Sequence, residues 1–442
     1  MARLTELSGW GGYPVVRGDL RLSADLERIT VGANLSRGLG RAYGDAGLPA
    51  GGGVVAGTSH ATEVSSFDRE RGILRAQAGV SLAALHDLLL RAGWSCPVLP
   101  GTQFVTLGGM VAADVHGKNH HVAGSIGAHV RALRLRVADG RVLDVGPCAE
   151  PELFDATLGG MGLTGHILEV ELQLERIPSS WVEQEVESAG DLAELLQMLR
   201  DSSAEWPMTA AWSDGLARGG ALGRGILIKG RWASAADAPT KVWRRGGRLT
   251  MPVSLPNWTP RRPVVRLMNS AYYRRNRARA GRSLVSPMPF FHPLDAVGEW
   301  NRFYGSRGFT QYQCVLPGPD AGIPCRGILE FLARRGAGPL LTVIKDFGAE
   351  GRGTLSFPTP GLTLALDLPI TLPSTRVLVA DLNALVANAG GRIYLAKDAL
   401  TEPTAFRRLE PRMDQFNAVR DQWDPERRLR SALSVRLLGD PP

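Results

Sequence analysis

Three glycine-rich segments fall within the first 165 residues, each of a kind that lets a backbone close on a phosphate. The first is Arg37-Gly38-Leu39-Gly40-Arg41-Ala42-Tyr43-Gly44-Asp45. The second is longer: Pro100-Gly101-Thr102-Gln103, Thr106-Leu107-Gly108-Gly109, Asp114-Val115-His116-Gly117-Lys118-Asn119-His120-His121 and Gly124-Ser125-Ile126-Gly127. The third is Gly159-Gly160-Met161-Gly162-Leu163-Thr164-Gly165. Without side chains, backbone N–H groups can approach a pyrophosphate closely. Glycine also costs backbone entropy, so this density points to a long, flat, polar ligand threaded between loops. Tyr43 stands where a nicotinamide-dinucleotide fingerprint needs its third glycine, which weakens that reading. Nor is Gly117-Lys118-Asn119 a P-loop, because Ala112 replaces its first glycine.

His116, His120 and His121 add titratable chemistry. Histidines four apart on a helix can share a metal, but no HExxH glutamate accompanies these and Gly117 interrupts the helix, so no metal is expected. His116 is read as a group poised at cofactor or substrate. His120 and His121 read equally well as satisfied hydrogen-bonding groups.

A basic block is the other conspicuous feature. The net charge is +8, and between Arg261 and Arg282 lie eight arginines and no acid, with Tyr272 and Tyr273 among them. Like-charge blocks are commonly solvated mobile loops. Alternatively, the planar arginine fork grips phosphate oxygens in pairs, so the block could dock a phosphorylated substrate or form a peripheral contact with an anionic membrane face. It lacks the large apolar face of an inserted helix. No recognition motif accompanies it, so nucleic acid is not an expected partner.

With 442 residues, 44% of them apolar, the chain can bury two cores. No run approaches the eighteen apolar residues of a membrane span, and Met1-Ala2-Arg3-Leu4-Thr5-Glu6 lacks a signal-peptide core. The expectation is a cytoplasmic protein, with membrane association through the basic block as its variant. Cys96, Cys148, Cys314 and Cys325 show no CxxC spacing and read as reduced packing residues.

The elements that must position these loops follow from periodicity. Residues 1–178 alternate short strands, Gly-rich turns and a few helices, a mixed α and β pattern. A strand at Ile29 to Val31 is expected to feed the first glycine loop. Ser81 can cap a helix to Arg91 stopped by Gly93. Leu133 to Val137, turned at Asp139-Gly140, pairs with Val142 to Val145. Leu168 to Leu174 alternates with acidic and amide residues, marking a strand with one wet face. From 179 a second domain begins, with a helix from Asp191 to Arg200, strands at Ile226 to Trp232 and Leu362 to Leu368, and a helix from Ser374 to Gly390-Gly391. Ile393 to Lys397 reads as a short strand, and Ala405 to Trp423 as a helix.

Eight ordered strings carry a resemblance: Arg37 to Asp45, Pro97 to Thr102, Asp114 to His121, Phe291 to Asp295, Gly298 to Arg302, Gln311 to Gln313, Leu355 to Pro358 and Arg392 to Asp398. With them the chain resembles, over nearly its whole length, the decaprenylphosphoryl-ribose 2-oxidase family of actinobacterial cell-wall synthesis, in the vanillyl-alcohol-oxidase superfamily. The resemblance implies an α+β, two-domain fold. A PCMH-type FAD-binding domain would come from both chain ends, residues 1–178 and a returning segment 392–442, with an antiparallel-sheet substrate domain at 179–391 between them. It implies an FAD-dependent alcohol oxidase or dehydrogenase that turns a secondary alcohol of a sugar or sugar phosphate into a ketone, as the oxidising half of an epimerisation completed by a partner short-chain reductase. FAD would be non-covalent, because Tyr43 stands where a tethering histidine would lie.

Carried over by position, the cofactor contacts are Arg37, Gly38, Leu39, Gly40, Arg41, Ala42, Tyr43, Gly101, Thr102, Thr106, Gly108, Gly109, Ala112, Gly117, Asn119, His121, Gly162, Ile167 and Tyr394. The substrate side would comprise Lys118, Phe291, Trp300, Gln311, Gln313, Lys345, Thr363 and Ala365. Lys397, His116 and Tyr43 would be catalytic. A lysine desolvated beside flavin and other cations would have a lowered pKa and accept the hydroxyl proton, or remain charged and stabilise an alkoxide. Thr363, Ala365 and Phe291 depart from the family's asparagine, cysteine and tyrosine, which leaves a nucleoside, polyol or other natural-product intermediate as a rival substrate. A non-catalytic flavin- or anion-binding protein is the rival of another class.

Overall fold

In the computed structural model, residues 4–240 and 248–442 are described. The first three residues, part of the N-terminal stretch weighed above, lie outside this range. Two sheets come from the first 173 residues. One has four strands, β1 (Leu4–Ser8), β2 (Val15–Leu22), β3 (Leu35–Arg37) and β4 (Gly52–Gly57), in the order β1-β2-β4-β3. Both β2 and β3 run parallel to β4. The other is antiparallel throughout: β5 (Val64–Asp68), β6 (Ile73–Gln77), β7 (Val130–Arg136), β8 (Val142–Val145) and β9 (His166–Gln173), in the order β5-β6-β9-β7-β8.

The strand that feeds the first glycine loop is β3, not Ile29 to Val31. Leu26–Ile29 forms a helical turn instead, because the Asp25 side chain caps it by accepting from the Arg28 N–H. The helix α1 (Leu82–Leu89) is capped by Ser81 and ends through a 3-10 turn at Gly93, whose φ of 77° suits glycine. A short helix, α2 (Leu107–Ala112), is the hub of the glycine loops.

A third, antiparallel sheet has eight strands: β10 (Val182–Ala189), β11 (Met208–Ser213), β12 (Gly225–Trp232), β13 (Gly281–Val285), β14 (Phe309–Pro317), β15 (Thr342–Phe347), β16 (Gly361–Pro369) and β17 (Arg392–Ile393). Its order is β13-β10-β12-β11-β15-β16-β14-β17. Its edge strand thus lies just past the sequence boundary at 391. The register decides which side chains share a face: Gln311 pairs with Asp367, Gln313 with Ala365, Thr363 with Lys345, Ala365 with Val343, and Val343 with Trp212. These residues all look one way. The other face is covered by helices α3 (Leu192–Ser203), α5 (Gly322–Arg335) and α6 (Ser374–Asn388); there the Tyr312 hydroxyl donates to Asn383 Oδ1.

The arginine block forms the helix α4 (Arg262–Arg277), contrary to the loop reading. Val265, Asn269 and Tyr273, four apart, make a buried stripe that holds it down. The Asn269 amide donates to Asp214, and the Tyr273 hydroxyl to the Ala189 carbonyl.

Beyond β17 the chain turns at Tyr394 to Lys397, so Lys397 sits on a turn and not in a strand; its N–H donates to the Tyr394 carbonyl. The C-terminal helix is two, α7 (Pro403–Leu409) and α8 (Met413–Trp423), because Pro411 between them has no N–H to donate. The last helix, α9 (Ala432–Leu438), carries Arg436 back to the N-terminal loop. Its guanidinium binds both Asp45 oxygens at 2.8 Å and Asp398 at 2.9 Å. The Tyr43 N–H donates to the Ala396 carbonyl.

Candidate active site

The three glycine loops converge on α2. A Cβ at Gly38 would stand 2.2 Å from Thr106 Oγ1, the oxygen that caps α2. At the other end of α2, the Gly159 and Met161 N–H groups donate to the Val111 and Ala112 carbonyls. A Cβ at Gly101 or Gly162 would meet no protein atom within 4 Å. Arg41 is stacked 3.7 Å over Trp10, with its Nε buried and unpartnered among the described residues. A buried cationic donor without a partner, beside closely approachable backbone, fits a phosphate-bearing cofactor. Leu39 is exposed, Ala42 accepts from the Trp10 N–H, and Gly40 has φ 67°.

Several residues assigned to the cofactor have their polar groups engaged by protein. Arg37 donates to the Ser8 and Gly47 carbonyls and braces its own loop. Thr102 donates to Asp295 Oδ1, whose second oxygen accepts the Gln103 N–H, so the pair ties the second loop to the middle of the chain. Asn119 donates to the Pro97 carbonyl, and a Cβ at Gly117 would come within 2.7 Å of Asn119 Oδ1. Gly108 packs on Ala78, Gly109 donates to the α2 cap, and Ile167 is buried in β9. His121, read as a cofactor contact, points instead into the third sheet. There it meets the Trp206 carbonyl at 2.9 Å and Asp346 at 3.5 Å, because the turn after Asn119 aims it there.

His116 is the centre of a second group. Its Nε2 lies 3.1 Å from the Gln313 amide nitrogen and its Nδ1 3.1 Å from Lys345 Nζ, while its ring packs on Phe347, Phe357 and Tyr394. Burial, then Lys345, holds the imidazole neutral, far below its ordinary pKa. With the Gln313 amide donating to Nε2, the proton sits on Nδ1 and points at Lys345, which must then be the free amine. That agrees with burial and neighbouring lysines lowering Lys345 to about 7. Gln313 also donates to Thr363 Oγ1, which donates to the Cys314 carbonyl. Ala365 stands half-buried beside them on the same face. The Tyr394 hydroxyl is spent on the Ala113 carbonyl.

Lys397 forms a third group with Tyr43. Its Nζ lies 3.6 Å from the Tyr43 ring centre, and it makes no ion pair within 4 Å among the described residues. Tyr43 is wedged against Phe309 and Trp300, and its hydroxyl is hydrogen-bonded to Gln311. Burial lowers Lys397 to about 7, against the opposing pull of Asp367. Asp367 is fully buried and accepts from the Gln311 amide at 2.5 Å and the Tyr304 hydroxyl at 2.9 Å. Burial raises it to about 6.

Lys118 completes the wall. Its Nζ lies 3.4 Å from the Phe291 carbonyl, and burial lowers it to about 8. Phe291 itself is packed on Phe290 and Trp232.

Asp367, Tyr304, Phe347 and Phe357 were absent from the sequence assignments. The signal for Asp367 was the strand alternation itself, since Thr363, Ala365 and Asp367 are two apart on one face; Lys345 and Phe347 repeat this in β15.

Comparison with known proteins gives the family. A family described as FAD binding domain matches residues 27–146, which include the first two glycine loops. Decaprenylphosphoryl-β-D-ribose oxidase of Mycolicibacterium smegmatis is 35% identical over 98% of this chain and 97% of its own. An uncharacterized protein of Streptomyces coelicolor is 35% identical over 81% of this chain and 100% of its own. Mouse L-gulonolactone oxidase is 33% identical over 25% of each chain. The protein is an FAD-dependent oxidoreductase acting on CH–OH groups, and the chain belongs to the decaprenylphosphoryl-β-D-ribose oxidase family.

Proposed function

We propose that the protein oxidises a secondary hydroxyl of a ribose-like sugar carried on a lipid phosphate, with Lys397 taking the hydroxyl proton. The observation that carries this reading is Lys397 itself: a buried amine, without an ion pair among the described residues, on the face of Tyr43. A lysine lowered to about 7 is half free amine at neutral pH, which suits a general base. Bound FAD, held non-covalently by the loops around α2, supplies the two-electron acceptor for the hydrogen on the carbinol carbon. As the C=O bond forms, the hydroxyl proton passes to Lys397 Nζ. Tyr43 orients that amine, and Asp367, through Gln311, fixes the tyrosine. The neutral His116, with one ring nitrogen engaged by Gln313 and the other by Lys345, holds these two side chains in place on the substrate side. Lys118, lowered only to about 8 and so still largely protonated at neutral pH, provides positive charge for an anionic group on the substrate.

In domain terms, residues 1–178 and 392–442 would make the FAD-binding unit and 179–391 the substrate unit. The Asp45–Arg436 and Tyr43–Ala396 contacts support this division. The ketone would be consumed by a partner reductase, which makes this reaction the first half of an epimerisation.

A second reading, a nucleoside or polyol substrate, is favoured by the wall at β16. Ala365 offers no polar atom, and the Thr363 hydroxyl is already shared between Gln313 and Cys314. Anaerobic addition of a lipid-phosphate-linked ribose, free ribose, nucleosides and polyols distinguishes the two readings. Flavin bleaching by the phosphate-linked sugar alone supports the first; bleaching by a nucleoside or polyol alone overturns it.

A further inference from the structure

The helix α4 presents an outward side that the fold does not use. Val265, Asn269 and Tyr273 face inward. At 100° per residue, Leu267, Ala271, Arg274 and Arg275 lie opposite them, with Met268 alongside. Leu267 is 73% exposed, Met268 42% and Tyr272 40%; Trp258, on the turn leading into the helix, is 55% exposed. Among the described residues, Arg266, Arg274, Arg275, Arg277 and Arg279 make no ion pair, whereas Arg282 pairs with Glu185.

Unpaired arginines alone would suit any polyanion. Large apolar side chains interleaved with them would gain nothing on a hydrated polyanion, but at a bilayer they enter the headgroup region while the guanidinium groups stay at the phosphates. The place of the helix in the fold agrees. Tyr272 packs at 4.7 Å on Trp212, and Trp212 pairs with Val343 on the sheet face that also carries Lys345, Thr363 and Gln313. From α4 the chain enters β13 and then Phe291, whose carbonyl meets Lys118. The basic helix and the site therefore lie on one side of the third sheet.

We propose that α4 is a docking surface for an anionic lipid bilayer, with Arg274, Arg275 and Arg277 engaging headgroup phosphates and Leu267 and Met268 as shallow anchors. The helix would rest along the interface and not cross it. No helix among the described residues is long and apolar enough to span a membrane. This inference stands apart from the substrate assignment, since vesicle binding is measured without substrate.

The test is co-sedimentation of the FAD-loaded full chain with vesicles of phosphatidylcholine alone, or of phosphatidylcholine mixed with phosphatidylglycerol. Binding to the mixed vesicles only, released by high salt, is expected. Exchange of Arg274, Arg275 and Arg277 together for Gln should weaken it about a hundredfold. Leu267→Ser, which keeps every charge, should weaken vesicle binding but leave retention on heparin unchanged. Both variants must keep the flavin spectrum of the parent, which reports folding. Equal binding to both vesicle types, no binding to either, or undiminished binding by the triple variant overturns the proposal. If Leu267→Ser leaves vesicle binding intact, the surface is a general polyanion site. If it instead abolishes a concentration-dependent dimer, the surface is a self-interface.

Discussion

Lys397 Nζ stands 3.6 Å over the centre of the Tyr43 ring, although 354 positions separate the two in sequence. The contact depends on the return of the chain after β17, where the Ala396 carbonyl accepts the Tyr43 N–H. A lysine there can be held charged by the ring face and yet release its proton near neutrality, because burial opposes the charge.

If the free amine is what matters, arginine cannot replace it. Lys397→Arg keeps the cation over Tyr43 but cannot be deprotonated. It should lose turnover as fully as Lys397→Met, about 10²–10⁴-fold, with FAD content unchanged. Steady-state rates normalised to bound flavin measure this; near-parental activity in the arginine variant would mean that charge alone suffices.

Asp367 acts on the site through others, as a positioning residue. Its negative charge favours the protonated lysine, so Asp367→Asn should lower the Lys397 pKa further. Because the base works when deprotonated, the rising acid limb of kcat/KM, near pH 7 in the parent, should move to lower pH. Lys345 also lies near 7 and feels Lys397, so the limb belongs to the pair. A purely structural Asp367 would depress the rate at every pH and leave the limb in place.

Stability should carry the same signature. In the unfolded chain Lys345 regains its ordinary pKa of 10.5, while in the fold it is near 7. Between these values the unfolded state binds more protons, so this group makes stability rise with pH from about 7 to about 10. Lys345→Met removes that slope. The variant should gain on the parent at pH 7, and the gain should shrink towards pH 10, as read from urea midpoints. A difference constant with pH would show that Lys345 is not titrating as described.

The closure of the chain ends can be tested at Arg436. Removing it with Arg436→Leu strands Asp45 and Asp398, both buried, without their cation. The expected loss is about 3–5 kcal/mol in chemical denaturation. FAD should dissociate more readily too, since the Asp398 turn packs directly on the first glycine loop: a Cβ at Gly44 would lie only 1.7 Å from the Asp398 carbonyl oxygen. Loss of stability with unchanged FAD affinity would separate the clasp from the cofactor loops.

Much of this was legible in the chain. Glycine density announced the loops because an approachable backbone is a local property. The family resemblance named Gln311, Gln313, Thr363 and Ala365, and the register of the third sheet puts them on one face, since a pleat repeats every two residues. Asp367 needed one more step along that alternation. The strand at Ile29 to Val31 failed because an Asp25 cap outweighs β-branched side chains over so short a run. Of the two readings of the arginine block, the mobile loop fails because charge count hides the four-residue spacing of Val265, Asn269 and Tyr273. The ends of His121 and Arg37 could not be foreseen, as each is decided by a backbone carbonyl distant in sequence.

The most direct test of the central claim is anaerobic mixing of the FAD-loaded protein with a lipid-phosphate-linked ribose, followed through the flavin's blue absorption band. Rapid bleaching is expected in the parent, and essentially none in Lys397→Met that retains its FAD. Bleaching at the parental rate in that variant would contradict the claim.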